Sequence, residues 1–335
     1  MTRRKLAALV SAGMSALVLI ITSGAAHAAT PSNNPVNGNG NAIRISPVRS
    51  DLTIAPGSSS TISVFVQNVT NAPATFQPIA NDFIADSDES GTPKLLLDGN
   101  AAAPTHGLKQ FMDVGSDLTL QPQEQKEIRV KISIPANAAG GGYYGAVRIL
   151  PTSGIKSQLS LSPSVASLVL VTVPGDIKEQ LGISSFNVSN KNGRATNFFT
   201  NAKTLQVVTR FNNFGNVQVA PFGKVVLKKS GKTLASAELN NVTPRGVVLP
   251  GTIRRFTTDF SNKATTFGKY SIESTLGYGT KGQSLYANTS FYVVPLSYVI
   301  VGIVLVIAII IGIIILPRML KTHDRKLLKK MRGRK

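Results

Sequence analysis

The chain of 335 residues contains no cysteine and no tryptophan, only three histidines, and 16 acidic residues against 36 Lys and Arg. Without cysteine it cannot form disulfides, thiolate zinc sites, iron–sulfur clusters or a cysteine nucleophile. The formal net charge of +20 would fit nucleic-acid binding only if the basic residues formed one surface patch. The positions of those residues along the chain therefore decide how the charge is interpreted.

The N-terminal segment, residues 1–28, is predicted to be a secretory signal peptide. Arg3 to Lys5 form a basic n-region, Leu6 to Ile21 an apolar h-region, and Ala26 to Ala28 a small-x-small cleavage pattern. An uncleaved first transmembrane helix is the alternative, but the apolar run is short for that purpose. Residues 29–41, rich in Asn, Gly and Pro, are predicted to be a flexible linker.

A second apolar segment lies near the C-terminus, and a transmembrane helix is predicted over residues 295–316. Leu296 to Leu316 contain no charged residue, and a helix of that length spans about 30 Å, the thickness of a bilayer core. Tyr292 and Tyr298 would lie near the outer interface, and Pro317 is predicted to mark the far end. A buried core helix is the alternative, but this run has no polar face.

The C-terminal tail, residues 317–335, contains nine Lys and Arg and a single acid, Asp324. The positive-inside rule therefore places the tail in the cytoplasm, against anionic lipid headgroups, and the large middle segment outside the cell. The remaining Lys and Arg are scattered along the middle segment. This pattern does not support a nucleic-acid interface, although a basic exterior could attract anionic wall polymers.

Period-two alternation predicts that the middle segment is built from β-strands. Residues 62–66 and 128–134 alternate apolar with polar side chains, as half-buried strands do. Val165 to Val173 form a nearly continuous β-branched run, which predicts a strand buried on both faces. Short strands separated by turn signals favour an all-β ectodomain of two tandem Ig-like antiparallel β-sandwiches, over residues 42–155 and 156–292.

Several short motifs resemble those of the extracellular WxL-interacting protein family. They are Ile45–Arg49, Leu52–Ser58, Val66–Asn68, Val130–Pro135, Gly141–Val147, Asn213–Val217 and Pro221–Gly223. The order of signal peptide, β-domains, membrane helix and basic tail is similar as well. The resemblance implies a bacterial surface protein whose first domain binds peptidoglycan and whose second domain binds a WxL-type surface protein.

Candidate catalytic and metal-binding residues are few. His106 is the one histidine expected outside the cell, and it lies in a loop-like stretch, so a surface-loop role is favoured over a catalytic triad. The order Asp86, Asp88, Ser90 and Gly91 is typical of the first half of a calcium loop, but Leu97 occupies the position of the bidentate Glu. A solvated acidic turn is therefore favoured, with no cofactor and no enzymatic activity expected.

Tyr144 and Arg148 are the candidate ligand-binding residues, and the neighbouring Tyr143 is interpreted as structural. Alternation places Tyr143 with Val147 and Ile149, in the core or as a tyrosine corner. Tyr144 would then point outward beside Arg148, where its ring could stack on a sugar.

The architecture predicts a non-enzymatic, membrane-anchored surface protein, and the family resemblance implies that it binds peptidoglycan and another surface protein. One alternative is an accessory subunit of a transport or secretion complex, which presents its β-domains outside. A wall hydrolase is a further alternative, disfavoured because His106 is the one external histidine.

Overall fold

The computed structural model describes residues 43–98, 104–153 and 164–332, which belong to one compact unit. The predicted signal peptide (1–28) and linker (29–41) lie outside the described residues. The predicted β-rich fold is confirmed, because the described residues form eighteen strands followed by one long helix.

The N-terminal strands are β1 (Ile43–Ser46), β2 (Arg49–Thr53), β3 (Ser59–Asn68), β4 (Ala74–Ala85), β5 (Pro93–Leu95), β6 (Met112–Asp113), β7 (Leu118–Leu120), β8 (Gln125–Ser133), β9 (Gly141–Ser153) and β10 (Val165–Val173). A short 3₁₀ turn, Lys109–Phe111, precedes β6. The C-terminal strands are β11 (Leu181–Ser189), β12 (Phe198–Phe199), β13 (Gln206–Asn213), β14 (Phe222–Lys229), β15 (Lys232–Leu239), β16 (Ile253–Asp259), β17 (Gly268–Tyr278) and β18 (Gln283–Val293), followed by helix α1 (Leu296–Arg332).

The strands up to β10 form two sheets, which we call the N-terminal sheet pair. One sheet has the order β1-β3-β8-β6, and the other runs β2-β10-β9-β4-β5 with β7 paired to β4. Alternate residues of β3 and β8, such as Val64 and Val130, are fully buried against residues of the second sheet, such as Phe76 and Val147. The period-two pattern predicted for residues 62–66 and 128–134 is therefore confirmed.

The later strands form the C-terminal sheet pair, with orders β11-β13-β16 and β12-β18-β17-β14-β15. Its core is a separate cluster that includes Phe211, Val225, Tyr270 and Phe291, each at most 1% exposed. Pairing is mostly antiparallel, as predicted, but β10 runs parallel to β2 and β12 runs parallel to β18. The expectation of wholly antiparallel sandwiches is wrong at these two pairs.

The predicted boundary between residues 155 and 156 is also wrong for one strand. The run Val165–Val173 forms β10, but β10 pairs with β9 and β2 of the N-terminal sheet pair. Its burial on both faces is as predicted, because Val169 and Val171 join the N-terminal core while Leu170 faces the other way. The polar, turn-rich stretch before it predicts a boundary there and hence places the strand in residues 156–292. Residues 154–163 of that stretch lie outside the described residues.

A buried asparagine organises the end of one strand in each sheet pair. The Asn68 amide donates to the carbonyls of Ala72, Leu120 and Gln121. The Asn213 amide donates to the carbonyls of Val217 and Val248, both at 2.8 Å. Each side chain is 0% exposed, so its buried amide is satisfied by main-chain carbonyls of the adjoining loops.

Helix α1 contains a segment, Leu296–Pro317, that is long and apolar enough to cross a membrane. This agrees with the predicted span of residues 295–316. The prediction that the helix ends at Pro317 is wrong, because the helix continues to Arg332. A proline removes one main-chain hydrogen bond, to Ile313 here, and the good helix formers after it, such as Met319, Leu320 and Lys321, favour continuation.

Candidate functional site: the cleft between the sheet pairs

A third apolar cluster joins the two sheet pairs. Phe83, Tyr144 and Leu170 of the N-terminal pair are each at most 5% exposed, and Val247 and Leu249 of the C-terminal pair pack against them. The rings of Phe83 and Tyr144 meet edge to face, with centroids 6.0 Å apart. Apolar contact on this side explains why β9 and β10 are buried on both faces.

Hydrogen bonds fix the same junction in one geometry. The amide of Gly142 donates to the carbonyl of Asn216 at 2.8 Å. The hydroxyl of Tyr144 donates to Oε1 of Gln218 at 2.9 Å, and Nε2 of Gln218 donates to the hydroxyl of Thr172 at 3.1 Å. Burial raises the pKa of Tyr144 far above its usual value, against a smaller lowering by its hydrogen bond to Gln218.

The acidic segment Asp86–Gly91 forms the turn of the β4–β5 hairpin and reaches the C-terminal sheet pair. The Glu89 carboxylate accepts from Nε of Arg210 at 2.6 Å, and its main-chain carbonyl accepts from the amide of Arg255 at 2.8 Å. Gly91 has a φ of +82° and lies against the guanidinium of Arg254, where a Cβ would collide with that group. The turn is thus a contact between the two sheet pairs, a role that the sequence did not predict.

The residues of the calcium alternative serve this turn through local hydrogen bonds. Oδ1 of Asp86 accepts from the amide of Ser87, and Oδ1 of Asp88 accepts from the amide of Ser90. The hydrogen bonds from Ser90 hold the pKa of Asp88 below its usual value. In the described part of the chain, no group of three or more His, Cys, Asp or Glu side chains is arranged to hold a metal ion.

A cavity of about 670 Å³ lies beside the apolar junction, within the range of ordinary ligand sites. Its apolar lining includes Phe83, Leu168, Leu170, Val247, Leu249 and Phe256. Its charged lining consists of Arg49, Asp86, Glu238 and Arg254. We call this cavity the cleft. Both sheet pairs contribute to its walls, so neither sandwich could form it alone.

Arg254 is a charged residue of the cleft whose guanidinium is only partly hydrogen-bonded. Its Nη1 donates to the carbonyl of Val247 at 2.7 Å, and its guanidinium lies 5.0 Å from the centre of the Phe256 ring. Its buried Nε has no hydrogen-bond partner among the described residues. Burial lowers the pKa of Arg254, and the charge of Arg49 lowers it further. An arginine held in this way favours a ligand with negative charge.

Arg49 is more fully paired than Arg254. Its Nε and Nη2 donate to one carboxylate oxygen of Asp51 at 3.0 and 2.8 Å, and its Nη1 donates to the carbonyl of Arg245 at 2.8 Å. This last bond also crosses between the sheet pairs. Arg49 therefore contributes more to the shape of the cleft than to free positive charge.

Tyr144 faces away from the N-terminal core, as predicted, but its predicted exposure to solvent is wrong. Its ring is 5% exposed, because the face of β9 opposite the core is covered by the C-terminal sheet pair. Arg148, on the same face, donates to Oδ1 of Asn81 at 3.0 Å. The two residues therefore form no exposed platform for a sugar ring. Tyr143 lies in the N-terminal core, as predicted, and its hydroxyl donates to the carbonyl of Ala139 at 3.0 Å.

His106 lies in a turn before the 3₁₀ segment and is partly buried. Its ring meets the rings of Tyr143 and Tyr144 edge to face, with centroids 6.0 and 6.4 Å away. Its carbonyl accepts from the amide of Tyr144 at 2.8 Å. These contacts describe a packing role.

The sequence reasoning missed the cleft because its residues come from distant segments. One signal was available: residues 143–147, Tyr-Tyr-Gly-Ala-Val, have no charged residue on either face. As in β10, an uninterrupted apolar run indicates a strand covered on both sides. The positions of Arg254 and Glu89 across the junction carry no such local signal.

Comparison with known proteins gives structural likeness only. No protein-family model matches the chain, and no curated protein matches it. The class 5 fimbriae chaperone CfaA is similar with 14% identity, a TM-score of 0.36, and coverage of 76% of this chain and 99% of that chain. The E. coli chaperone DraB is similar with 15% identity, a TM-score of 0.33, and coverage of 75% and 96%.

A PapD-like domain of human CEP192 is also similar, with 11% identity, a TM-score of 0.27, and coverage of 40% of this chain and 87% of that one. These scores are too low to indicate function. No match bears on the WxL-interacting family, so that resemblance stays a prediction.

Proposed function

We propose that this protein is a non-enzymatic, single-pass membrane protein of the cell surface, with two tandem Ig-like domains that bind a partner protein in the cleft between them. The domains would correspond to the N-terminal and C-terminal sheet pairs, residues 43–173 and 181–293. The observation that carries the proposal is the cleft itself, an apolar cavity of about 670 Å³ with an incompletely paired arginine in its wall.

Membrane anchoring is supported by helix α1 and the charges around it. The segment Leu296–Pro317 has the length and composition of a membrane span. The basic residues follow it, and no Lys or Arg lies between Gly282 and Pro317. By the positive-inside rule, this asymmetry supports an orientation with the sheet pairs outside the cell.

The lining of the cleft defines the ligand chemistry. Leu170, Val247 and Leu249 offer apolar surface, and Arg254 offers a guanidinium in an environment of reduced dielectric. Such surroundings strengthen a charge-assisted hydrogen bond to a carboxylate. We therefore expect the ligand to be a segment of a protein that presents apolar side chains next to an acidic residue.

Binding of synthetic peptides to the full chain in detergent micelles tests this ligand chemistry. Peptides with leucine or valine beside aspartate or glutamate should bind, and the same peptides with asparagine or glutamine should bind at least tenfold more weakly. Arg254→Met should weaken binding of the acidic peptides and remove the difference between the two sets. Equal binding of both sets to the unaltered chain would contradict the role given to Arg254.

Blocking the cleft gives a second test with a matched control. Val242 lines the cleft and is 61% exposed, so Val242→Lys would introduce a bulky charge without disturbing a core. Leu234 is 49% exposed and is not part of the lining. We expect Val242→Lys to abolish peptide binding and Leu234→Lys to leave it unchanged. Similar effects of both changes would contradict binding in the cleft.

Peptidoglycan binding rests on the family resemblance alone and stays a prediction. The sugar-stacking platform expected at Tyr144 is not exposed. Retention of the full chain on purified peptidoglycan, compared with an albumin control, tests this half of the function. Retention that persists in Val242→Lys would place the glycan site outside the cleft.

A further inference from the structure

Two pairs of exposed aromatic rings lie at one end of the C-terminal sheet pair. They are Phe198, Phe267, Tyr292 and Tyr298, with exposed fractions of 68, 53, 41 and 58%. The Phe198 and Tyr292 rings are stacked at 5.5 Å, and the Phe267 and Tyr298 rings are 5.3 Å apart. We call these four residues the aromatic collar.

The collar is assembled from four separate elements. Phe198 belongs to the two-residue strand β12, which is held beside β18 by bonds from the amide of Tyr292 to the carbonyl of Asn197 and from the amide of Val294 to the carbonyl of Phe199. Phe267 directly precedes β17, and Tyr298 lies in the first turn of α1. The main chain thus fixes each ring at this end of the sheets.

The aromatic residues next to two of these rings in sequence are buried, so the exposure is confined to the collar residues themselves. Phe199 is 7% exposed and Phe291 is 0% exposed, and both lie in the core. Leaving a large aromatic ring in water forgoes the free energy that its burial would supply. Two phenylalanines without a polar tip, exposed within one cluster, indicate a surface that is covered in use.

The position of the collar indicates what covers it. Only Val294 and Pro295 separate β18 from α1, and two residues span at most about 7 Å. Tyr298 lies inside the apolar segment Leu296–Pro317. Because the ring of Phe267 contacts the ring of Tyr298, Phe267 must lie at nearly the same depth as the first turn of the span.

The charged residues around the collar suit a lipid surface. Lys232 and Lys269 are exposed at this end, and Lys269 is paired in register with Tyr292. Lys229 donates to the carbonyl of Phe267 at 2.9 Å, which ties the β14 end to the collar. Amphipathic and aromatic rings favour the headgroup region, and lysines favour anionic headgroups.

We propose that the aromatic collar inserts into the outer headgroup region of the bilayer and seats the C-terminal sheet pair directly on the membrane. Phe198 and Phe267 are the inserting residues on the sheets, and Lys232 and Lys269 contact lipid phosphates. This inference rests on the membrane anchoring given in the proposed function. It adds a lipid-binding surface to the proposed ectodomain, which would otherwise be joined to the bilayer through α1 alone.

The absence of tryptophan makes a direct test possible with single-tryptophan variants of the full chain. The variants Phe198→Trp, Phe267→Trp and Tyr298→Trp are each reconstituted in vesicles of phosphatidylcholine and phosphatidylglycerol. Quenching by lipids brominated near the headgroup end of the acyl chain then measures depth. Phe214→Trp is the matched control. Phe214 is 60% exposed and follows the last residue of β13, at the end of the sheet away from the collar.

We expect quenching of Phe198→Trp and Phe267→Trp to approach that of Tyr298→Trp and to exceed that of Phe214→Trp several-fold. Strong quenching of Tyr298→Trp with Phe198→Trp and Phe267→Trp at the level of the control would overturn the collar and leave membrane anchoring intact. Absence of quenching in Tyr298→Trp as well would overturn the anchoring and the collar together.

Discussion

Replacement of Asn213 by alanine should destabilise the wall of the cleft, with a magnitude that follows from its hydrogen bonds. The amide of Asn213 donates to two buried carbonyls at 2.8 Å, and its Oδ1 accepts from the amide of Gly215 at 2.9 Å. Asn213→Ala leaves three main-chain groups without these partners, and each buried unsatisfied group costs about 1–3 kcal/mol. We take the lower end, because relaxation of the loop admits some water, and expect a loss of about 3 kcal/mol.

The loss of stability should be greatest in one loop of the C-terminal sheet pair. One of the released carbonyls belongs to Val248, which lies between two residues of the cleft lining, Val247 and Leu249. The main chain of Asn213 also bonds to Thr252 and Gly251. Asn213→Ala should therefore speed hydrogen exchange in the loop after β15 more than in the N-terminal sheet pair.

Urea unfolding of the full chain in detergent, followed by far-UV circular dichroism, measures the change in free energy. Asn288→Ala, at an exposed position of β18, is the matched control and should change stability little. Asn213→Asp should be at least as harmful as Asn213→Ala, because a carboxylate cannot donate to the two carbonyls. A loss for Asn213→Ala no larger than that for Asn288→Ala would refute the reasoning.

Three further predictions concern the junction and the acidic turn. Burial raises the pKa of Tyr144, so near pH 10 the unfolded chain loses this proton while the folded chain keeps it. The free energy of unfolding should therefore fall as pH rises above 10, by up to about 1.4 kcal/mol per pH unit. Tyr144→Phe should remove that part of the pH dependence in urea titrations at successive pH values. The Glu89–Arg210 pair is about one-third exposed on each side, so a double-mutant cycle with Glu89→Gln and Arg210→Met should give a coupling of at most about 1 kcal/mol. Calcium should not change the thermal unfolding midpoint, because the structure offers no cluster of three acidic ligands at Asp86 and Asp88 among the described residues.

Each of these predictions has an outcome that contradicts it. Identical alkaline slopes for Tyr144→Phe and the unaltered chain would show that Tyr144 ionises normally. A coupling energy well above 1 kcal/mol would show that the Glu89–Arg210 ion pair contributes strongly to the association of the two sheet pairs. A calcium-dependent rise in the midpoint that Asp88→Asn abolishes would restore the calcium site.

Several strands could be predicted from sequence because they have a local signal. The bounds predicted for the run Val165–Val173 are those that the structure gives, since β-branched residues between turns need no distant information. Its parallel partner β2 could not be predicted, because β2 is more than a hundred residues away and parallel pairing has no local signature. Without that pairing, the polar stretch before β10 indicates a boundary there, whereas the structure has β10 in the N-terminal sheet pair.

The candidate site was beyond sequence reasoning for the same physical reason. Tyr144 has the alternation of an outward-facing residue, and only the second sheet pair makes its position an interior one. Arg254 is one of many scattered basic residues until β16 brings it to Gly91 and Phe256. Local patterns determine which face of a strand is apolar, but tertiary packing determines which polar side chains share a cavity.

The short connection between β18 and α1 limits how far the sheet pairs can lie from the helix. With Val294 and Pro295 as its whole length, it leaves no stalk between the sheets and the helix. If α1 crosses a bilayer as proposed, a connection of two residues, at most about 7 Å long, holds β18 next to the lipid surface. A partner of the proposed ectodomain would then have to lie near the lipid itself, and one held at the outer rim of a wall would be out of reach.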